Sequence, residues 1–291
     1  MTAVEWLSVS EAVARYIEDG QVLYLAGFTH LIPFAFGHEI IRQHKRGLTL
    51  CRATPDLLYE QMLAGHVAEK VIFSYAGNPG VGLLPVFRRA VETGAVAIEE
   101  WTHFEMVARL AAGAAGVPFW PVNTLDNDLS RRRARPRVAS PFTGQLVPVV
   151  PPLAPDVTLL HAHAADEEGN IYVDGLLGEM REAALAARRV LVSVETCEPA
   201  RELRAGRLTL LLPAFRVASV SVEPWGAHPS YVLGRYDRDT LFYRQWDAQA
   251  RQELAVEAWL HEFVYGVADR AEYVRQLPAG RLRTLKEAAL I

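Results

Sequence analysis

Along the first 122 residues, two spacings of apolar side chains take turns. Short apolar runs, several of them next to glycine, alternate with stretches in which apolar side chains recur every three or four residues. The runs predict buried strands at 21–26, 48–51, 70–75 and 97–99. The stretches between them predict helices at 8–19, 34–44, 57–64, 83–92 and 104–115. Strands alternating with helices indicate an α/β fold, with an open, mostly parallel sheet and helices on both faces.

Residues 123–155 interrupt this alternation with clustered arginines and then prolines, which predicts a long surface loop. The pattern then resumes, with predicted strands at 156–161, 189–194 and 217–222, a helix at 178–187 and packed helices over the last fifty residues. We expect these later elements to extend the same sheet. The predicted organisation is a single domain, 1–291, with a βα core to about 122, the loop, and an extension over 156–291.

Composition narrows the classes of protein that fit. The chain has 291 residues, 51% of them hydrophobic, so it can bury a core without disulfides or metals. Its formal net charge of −4 argues against binding nucleic acid. Two cysteines cannot form a disulfide framework, which favours a reducing, cytoplasmic setting. We expect neither a signal peptide nor a membrane span, because no basic leader or long uncharged apolar segment is present.

Two glycine-containing loops follow predicted strands and are candidate ligand sites. Ligands of parallel α/β sheets bind at the carboxyl ends of strands, where backbone amides can reach a phosphate, carboxylate or thioester oxygen. A complete dinucleotide fingerprint and a P-loop lysine are both missing. Turn geometry alone is the alternative explanation for the glycines. The candidate contacts are Gly27, Phe28, Thr29 and His30 in the first loop and Gly77, Asn78, Gly80 and Gly82 in the second.

Isolated polar residues offer further chemistry. His161 and His163 at a predicted strand end share a face and have the spacing of metal ligands, but no third ligand accompanies them, so hydrogen-bonded histidines and no metal are expected. Cys197 follows a predicted strand, and a buried, inert thiol is favoured over a nucleophile. Glu105 is the candidate catalytic side chain, with a first-turn glutamate that complements the helix dipole as the alternative.

Six segments, in order, give the chain a resemblance to the α subunits of class I CoA-transferases, and among them to the α subunit of glutaconate CoA-transferase. The most specific are Asp166-x-x-Gly169-Asn170 and Gly226-Ala-His-Pro-Ser230. The resemblance covers nearly the whole chain. The others are 26–28 with Pro33, 87–92, 110–119 and 263–273.

The resemblance implies an α/β chain that pairs with a homologous β subunit, so that the two share one active site. In such enzymes a glutamate attacks an acyl-CoA thioester, passes through an anhydride and carries CoA as a glutamyl thioester. In two-chain members that glutamate lies in a Glu-Asn-Gly context in the β subunit, and this chain contains no Glu-Asn-Gly. The chain is therefore expected to be inactive alone, to contribute its glycine loops to the shared site, and to use coenzyme A as a substrate without a permanently bound cofactor.

One departure from the family pattern leaves other functions open. Where transferase α subunits tend to have an Asn-Phe-Ala-like segment, this chain has His103-Phe104-Glu105, which is similar to hydrolases of ring-containing CoA thioesters. Glu105 would then act as a base. A non-catalytic module that binds acyl-CoA or a sugar phosphate is a third alternative. Arginines 131–133, 135 and 137 offer contacts for CoA or nucleotide phosphates, or else form a solvated loop.

Overall fold

The computed structural model describes residues 3–123, 128–129 and 135–289. In chain order, the strands within these residues are β1 (Glu5–Trp6), β2 (Val22–Leu25), β3 (Leu48–Cys51), β4 (Ala68–Phe73), β5 (Ala97–Glu100), β6 (Trp120–Pro121), β7 (Arg137–Ala139), β8 (Leu146–Val150), β9 (Val157–Ala165), β10 (Ile171–Val173), β11 (Arg189–Cys197), β12 (Thr209–Leu212) and β13 (Ser219–Val222).

The α-helices are α1 (Val9–Tyr16), α2 (Phe34–Arg42), α3 (Leu57–Ala64), α4 (Pro85–Glu92), α5 (His103–Ala115), α6 (Met180–Ala186), α7 (Ala200–Ala205), α8 (Thr240–Gln249), α9 (Glu253–Leu260), α10 (Arg270–Gln276) and α11 (Ala279–Ala288). A π-helical turn, His261–Tyr265, continues α9. Within the described part of the chain, no helix is both long enough and apolar enough to cross a membrane.

A mostly parallel sheet forms the centre of the molecule, as predicted. Its main strand order is β1-β13-β11-β9-β2-β3-β4-β5, and the neighbours along this path run parallel. Strand β10 adds antiparallel to β9, and β12 adds to β10. Because β9 pairs with both β2 and β11, strands from before and after the predicted loop share one sheet.

Alternating side chains on the strands build a core on each face of the sheet. Leu23 and Leu25 of β2 pack with helices α1–α4 and α8–α10, whereas Tyr24 between them packs on the other side with α5, α6 and α11. The same alternation separates Leu159 from Leu160 in β9. This two-sided burial is the reason that the strands appear in the sequence as continuous apolar runs.

The long loop predicted over 123–155 contains two short strands, β7 and β8, that the sequence pattern missed. Strands β6, β7 and β8 form a small antiparallel sheet in the order β6-β8-β7. Proline lacks an amide hydrogen but keeps its carbonyl, and the Pro148 carbonyl accepts a hydrogen bond from Val122 N at 2.9 Å. The sequence pattern also missed the short strands β1, β10 and β12, because two to four residues carry little periodic signal.

Candidate active site

The carboxyl edge of the parallel sheet brings both glycine-containing loops together. Residues 26–33 follow β2, residues 52–56 follow β3 and residues 74–84 follow β4. The middle segment joins its neighbours, since Ala53 N donates to the Tyr24 hydroxyl at 3.4 Å and Gly77 N donates to Pro55 O at 3.0 Å. His103, at the start of α5, closes the group: its ring lies 6.5 Å from that of Phe28, and its Nδ1 is 3.3 Å from Ser74 Oγ.

The loop after β2 is tightly folded around Gly27. This residue has φ +110°, and a Cβ atom there would lie 2.8 Å from His30 O and 2.9 Å from Leu31 O. Thr29 and Leu31 also adopt positive φ, at 64° and 54°. Non-glycine residues reach that region at a cost, so the surrounding structure must hold the loop in this shape. Position 27 therefore requires glycine, because the backbone of residues 30 and 31 passes too close to it for a side chain.

A segment that sequence reasoning missed, residues 174–179, packs against this loop and supports it. His30 Nε2 donates to Leu176 O at 2.5 Å, and the imidazole stacks on Tyr231 with ring centroids 4.9 Å apart. Burial lowers the pKa of His30, so the ring is neutral with its proton on Nε2. Gly175 and Gly178 let the backbone approach, because a Cβ on them would meet His30 Cε1 at 2.8 Å and Phe28 Cβ at 2.9 Å.

The second loop is a turn anchored by Asn78. Its side chain is buried, and Oδ1 accepts a hydrogen bond from Leu57 N, the first amide of α3, at 2.9 Å. Asn78 N donates to Gly82 O at 2.8 Å, which closes the turn. Gly80 and Gly82 have positive φ, and a Cβ on Gly80 would meet nothing within 4 Å. Gly80 therefore serves turn geometry, whereas Asn78 links this loop to α3.

Glu105 lies at the same edge of the sheet, but its side chain is fully buried and already has partners within the protein. It is the third residue of α5 and forms a capping box with Thr102, whose Oγ1 accepts from Glu105 N at 3.3 Å and whose N donates to Glu105 Oε2 at 3.1 Å. Arg135 also pairs with both carboxylate oxygens, at 2.5 and 2.7 Å. Glu105 lies in the first turn of a helix, as predicted, and a catalytic role for this carboxylate stays a prediction.

Comparison with known proteins agrees with this architecture. The sequence profile described as "Coenzyme A transferase" matches residues 7–223, about three quarters of the chain. The chain belongs to the coenzyme A transferase family. Within this family, its sequence and fold are those of a class I CoA-transferase α subunit, as the resemblance predicted.

Three known proteins are similar to this CoA-transferase chain over most of its length. It is 42% identical to the A subunit of 3-oxoadipate CoA-transferase from Pseudomonas knackmussii, over 95% of this chain and 99% of that one. The crystal structure of glutaconate CoA-transferase from Acidaminococcus fermentans superposes with a TM-score of 0.90, at 27% identity, over 97% and 95% of the two chains. The decarboxylase AibA/AibB gives a TM-score of 0.79 at 34% identity, over 90% and 100%.

The two histidines of β9 in this CoA-transferase are buried and held by hydrogen bonds within the fold. Strand β9 continues to Ala165, so the prediction that His161 and His163 stand at a strand end is wrong. His161 hydrogen-bonds Ser193 Oγ and Glu195 Oε1, both at 2.8 Å, and His163 Nε2 donates to Leu233 O at 3.0 Å. The expectation of hydrogen-bonded histidines is confirmed. Among the described residues, no three His, Cys, Asp or Glu side chains are grouped as a metal site requires.

Cys197 differs from its prediction in one respect. It is the last residue of β11 and is exposed, so the prediction of a buried thiol is wrong. Partial desolvation and the nearby charges of Glu167, Asp166 and Glu198 raise the pKa of the thiol, which disfavours the reactive thiolate.

The arginines proposed as contacts for phosphates are described only in part. Arg135 pairs with Glu105 and Arg137 begins β7, whereas arginines 131–133 lie outside the described residues.

Proposed function

We propose that this chain, with a homologous β subunit, moves CoA between an acyl-CoA thioester and a small dicarboxylic acid. The 42% identity to one chain of a 3-oxoadipate CoA-transferase, over almost the full length of both chains, carries this proposal. Both named transferases, the 3-oxoadipate and the glutaconate enzymes, have dicarboxylic acids in their names. We place the acid of this enzyme in the same class, and the enzyme in the cytoplasm as a single-domain subunit without a permanently bound cofactor.

The chemistry requires a carboxylate nucleophile that we assign to the β subunit. That carboxylate attacks the thioester carbonyl, and the tetrahedral intermediate expels CoA as a thiolate, which leaves an acyl–glutamyl anhydride. The thiolate then attacks the glutamyl carbonyl, which releases the first acid and leaves a glutamyl–CoA thioester. The same steps run in reverse with the second acid. The absence of Glu-Asn-Gly from this chain supports this division of roles.

In this proposal the α subunit shapes the shared site. The rigid loop at Gly27, supported by residues 174–179, offers its backbone to the thioester oxygen while charge develops on it. His30 is held neutral by burial, so it adds no charge beside the developing oxyanion. Gly77 and Asn78 complete the adjoining wall through their hydrogen bonds to Pro55 and Leu57.

Two other reactions of the same thioesters are separable by experiment. Hydrolysis with Glu105 as base is disfavoured, because Arg135 and the helix cap already occupy both oxygens of that carboxylate. Decarboxylation needs an assay of its own, because a decarboxylase of this fold is 34% identical to the chain.

The test uses the chain co-purified with the product of its neighbouring gene. The complex is incubated with glutaconyl-CoA, with and without acetate, while acetyl-CoA, free thiol and carbon dioxide are measured. Acetate-dependent acetyl-CoA with little free thiol supports transfer. Acetate-independent thiol release that is lost in Glu105→Ala establishes hydrolysis instead, and carbon dioxide without thiol release establishes decarboxylation. CoA binding without turnover indicates a non-catalytic module.

A further inference from the structure

Arg52 is an unusual arginine at the carboxyl edge of the sheet. It directly follows β3, is 1% exposed, and pairs through Nη2 with Asp56 Oδ2 at 3.2 Å. Its Nε and Nη1 atoms are also buried, and neither has a hydrogen-bond partner among the described residues. Buried guanidinium N–H groups are costly to leave without an acceptor. The position therefore calls for an acceptor that this part of the chain does not supply.

Two more donors without acceptors surround the first turn of α3. Asn78 is 3% exposed; its Oδ1 is fixed by Leu57 N, which leaves Nδ2 without an acceptor in the described chain. Arg238 donates from Nη1 to Pro79 O at 2.6 Å, while its buried Nη2 has no acceptor there. Arg238 also lies close enough to Asp56 for its charge to act on that carboxyl.

These side chains belong to one cluster. Asp56, the N-cap of α3, accepts from Leu58 N at 3.2 Å and pairs with Arg52, and Asn78 binds the neighbouring amide, that of Leu57. Within the described residues, four donor atoms of this cluster therefore lack acceptors: Nε and Nη1 of Arg52, Nδ2 of Asn78 and Nη2 of Arg238.

One nearby acceptor does not balance them. Glu179 Oε1 accepts from the Tyr24 hydroxyl at 2.6 Å, and its Oε2 has no partner among the described residues. The charge of Glu179 acts on Arg52, but the two side chains form no ion pair. With four donors against one acceptor, a group that carries acceptors only fits best. A carboxylate is such a group, and arginine and amide N–H groups bind it well.

We propose that Arg52, Asn78 and Arg238 bind the distal carboxylate of the dicarboxylic substrate and so select dicarboxylic over monocarboxylic acids. This inference rests on the proposed function, because it places a subsite at the edge assigned to CoA transfer. A compact carboxylate suits this buried cluster better than a CoA phosphate does, because the phosphates belong to a long, hydrated nucleotide.

The decisive variant is Asn78→Asp in the complex of both subunits. It keeps the oxygen that caps Leu57 and replaces the free donor by a second oxygen, which repels a carboxylate. With acetyl-CoA as the donor, we expect KM for glutarate as acceptor to rise at least about ten times more than KM for butyrate does. Equal increases for both acids overturn the subsite, and so does an increase confined to acetyl-CoA, which assigns the cluster to CoA.

Two further variants keep the subsite testable if Asn78→Asp fails to fold. Arg52→Lys keeps a cation for Asp56 but removes Nε and Nη1, so it is expected to lose the same preference for glutarate. Arg88→Lys, at an exposed arginine on α4 paired with Glu92, is the matched control and is expected to keep it. Wild-type enzyme that uses glutarate and its monomethyl ester equally well also overturns the subsite. Absence of transfer to any acid instead overturns the proposed function.

Discussion

The Trp246 indole donates its Nε1 hydrogen to Glu60 Oε2 at 2.8 Å in the interior of the protein. Val86 N donates to the other oxygen at 2.7 Å, so this one carboxyl joins α3, α4 and α8. Glu60 is fully buried, and burial raises its pKa from the usual 4.5 to about 7 in spite of both hydrogen bonds. The folded protein therefore holds a proton there that the unfolded chain has already released at pH 6.

This proton makes stability depend on pH in a defined direction. Between pH 4.5 and about 7 the folded state binds the extra proton, so the free energy of unfolding falls as pH rises, by up to about 1.4 kcal/mol per pH unit. Glu60→Gln removes the titration and loses one acceptor. We expect it to be less stable than the wild type at pH 5 and to approach it at pH 8, as measured by urea unfolding. A constant difference across this range would contradict the assignment.

The Gly27 loop is predicted to tolerate no side chain. Gly27→Ala places a Cβ against two carbonyl oxygens at 2.8 and 2.9 Å, which displaces the loop. We expect transfer by the complex to fall about 100-fold, since misplacement by about 1 Å has such effects. Gly80→Ala is the control, because its φ is also positive but its Cβ meets nothing. It is expected to cost about 1 kcal/mol of strain and to keep most activity. Equal loss in both variants would refute the steric argument.

The Glu105–Arg135 pair is predicted to stabilise the fold. The two side chains are 0% and 6% exposed, so Glu105→Ala leaves a buried guanidinium without this carboxylate and is expected to cost about 3 kcal/mol of unfolding free energy. A double-mutant cycle with Arg135→Met measures the coupling. If Glu105→Ala abolishes turnover but leaves the unfolding midpoint unchanged, the carboxylate is catalytic instead.

The two cysteines are predicted to react differently with alkylating reagents. Burial raises the pKa of the Cys51 thiol to about 12, and the pKa of exposed Cys197 is raised less strongly. Only thiolates react, so we expect iodoacetamide at pH 8 to label Cys197 slowly and Cys51 only after unfolding. Mass spectrometry of the intact chain counts the labels. Rapid labelling of native Cys197 would mean that its surroundings activate it, and loss of activity in Cys197→Ser would give it a role.

Sequence patterns predicted the main strands and helices because each strand of a parallel sheet is buried on both faces. The helix predicted over 8–19 is α1, where Ser8 N donates to Glu11 Oε2 at 2.9 Å in a capping box. The glycine loops at Gly27 and Gly77 were predictable for a similar reason, since the end of an apolar run marks the carboxyl edge of the sheet.

The contacts that give the edge its chemistry had no such signal. The hydroxyl of Tyr24 meets Glu179 from 155 positions along the chain, and Glu105 meets Arg135 from 30 positions away. A pattern of apolar and polar residues within a short window cannot show which residues pair across such separations in the sequence. Arg52 follows a strand directly, so its position was visible in the sequence, but only the structure shows that its side chain is buried.

Strand β9 also affects the order in which the protein can assemble during synthesis. It covers the open edge of β2, and Asp156 just before it accepts a hydrogen bond from Val22 N across 134 positions of the chain. At about 5–20 residues per second, roughly seven to thirty seconds of translation separate these partners. Throughout that interval β2 can pair only with β3, so its other side is an open, apolar edge, the kind of template on which chains aggregate. The nascent chain is therefore most prone to aggregation in the interval after its first βα units are complete and before residue 165 has left the ribosome.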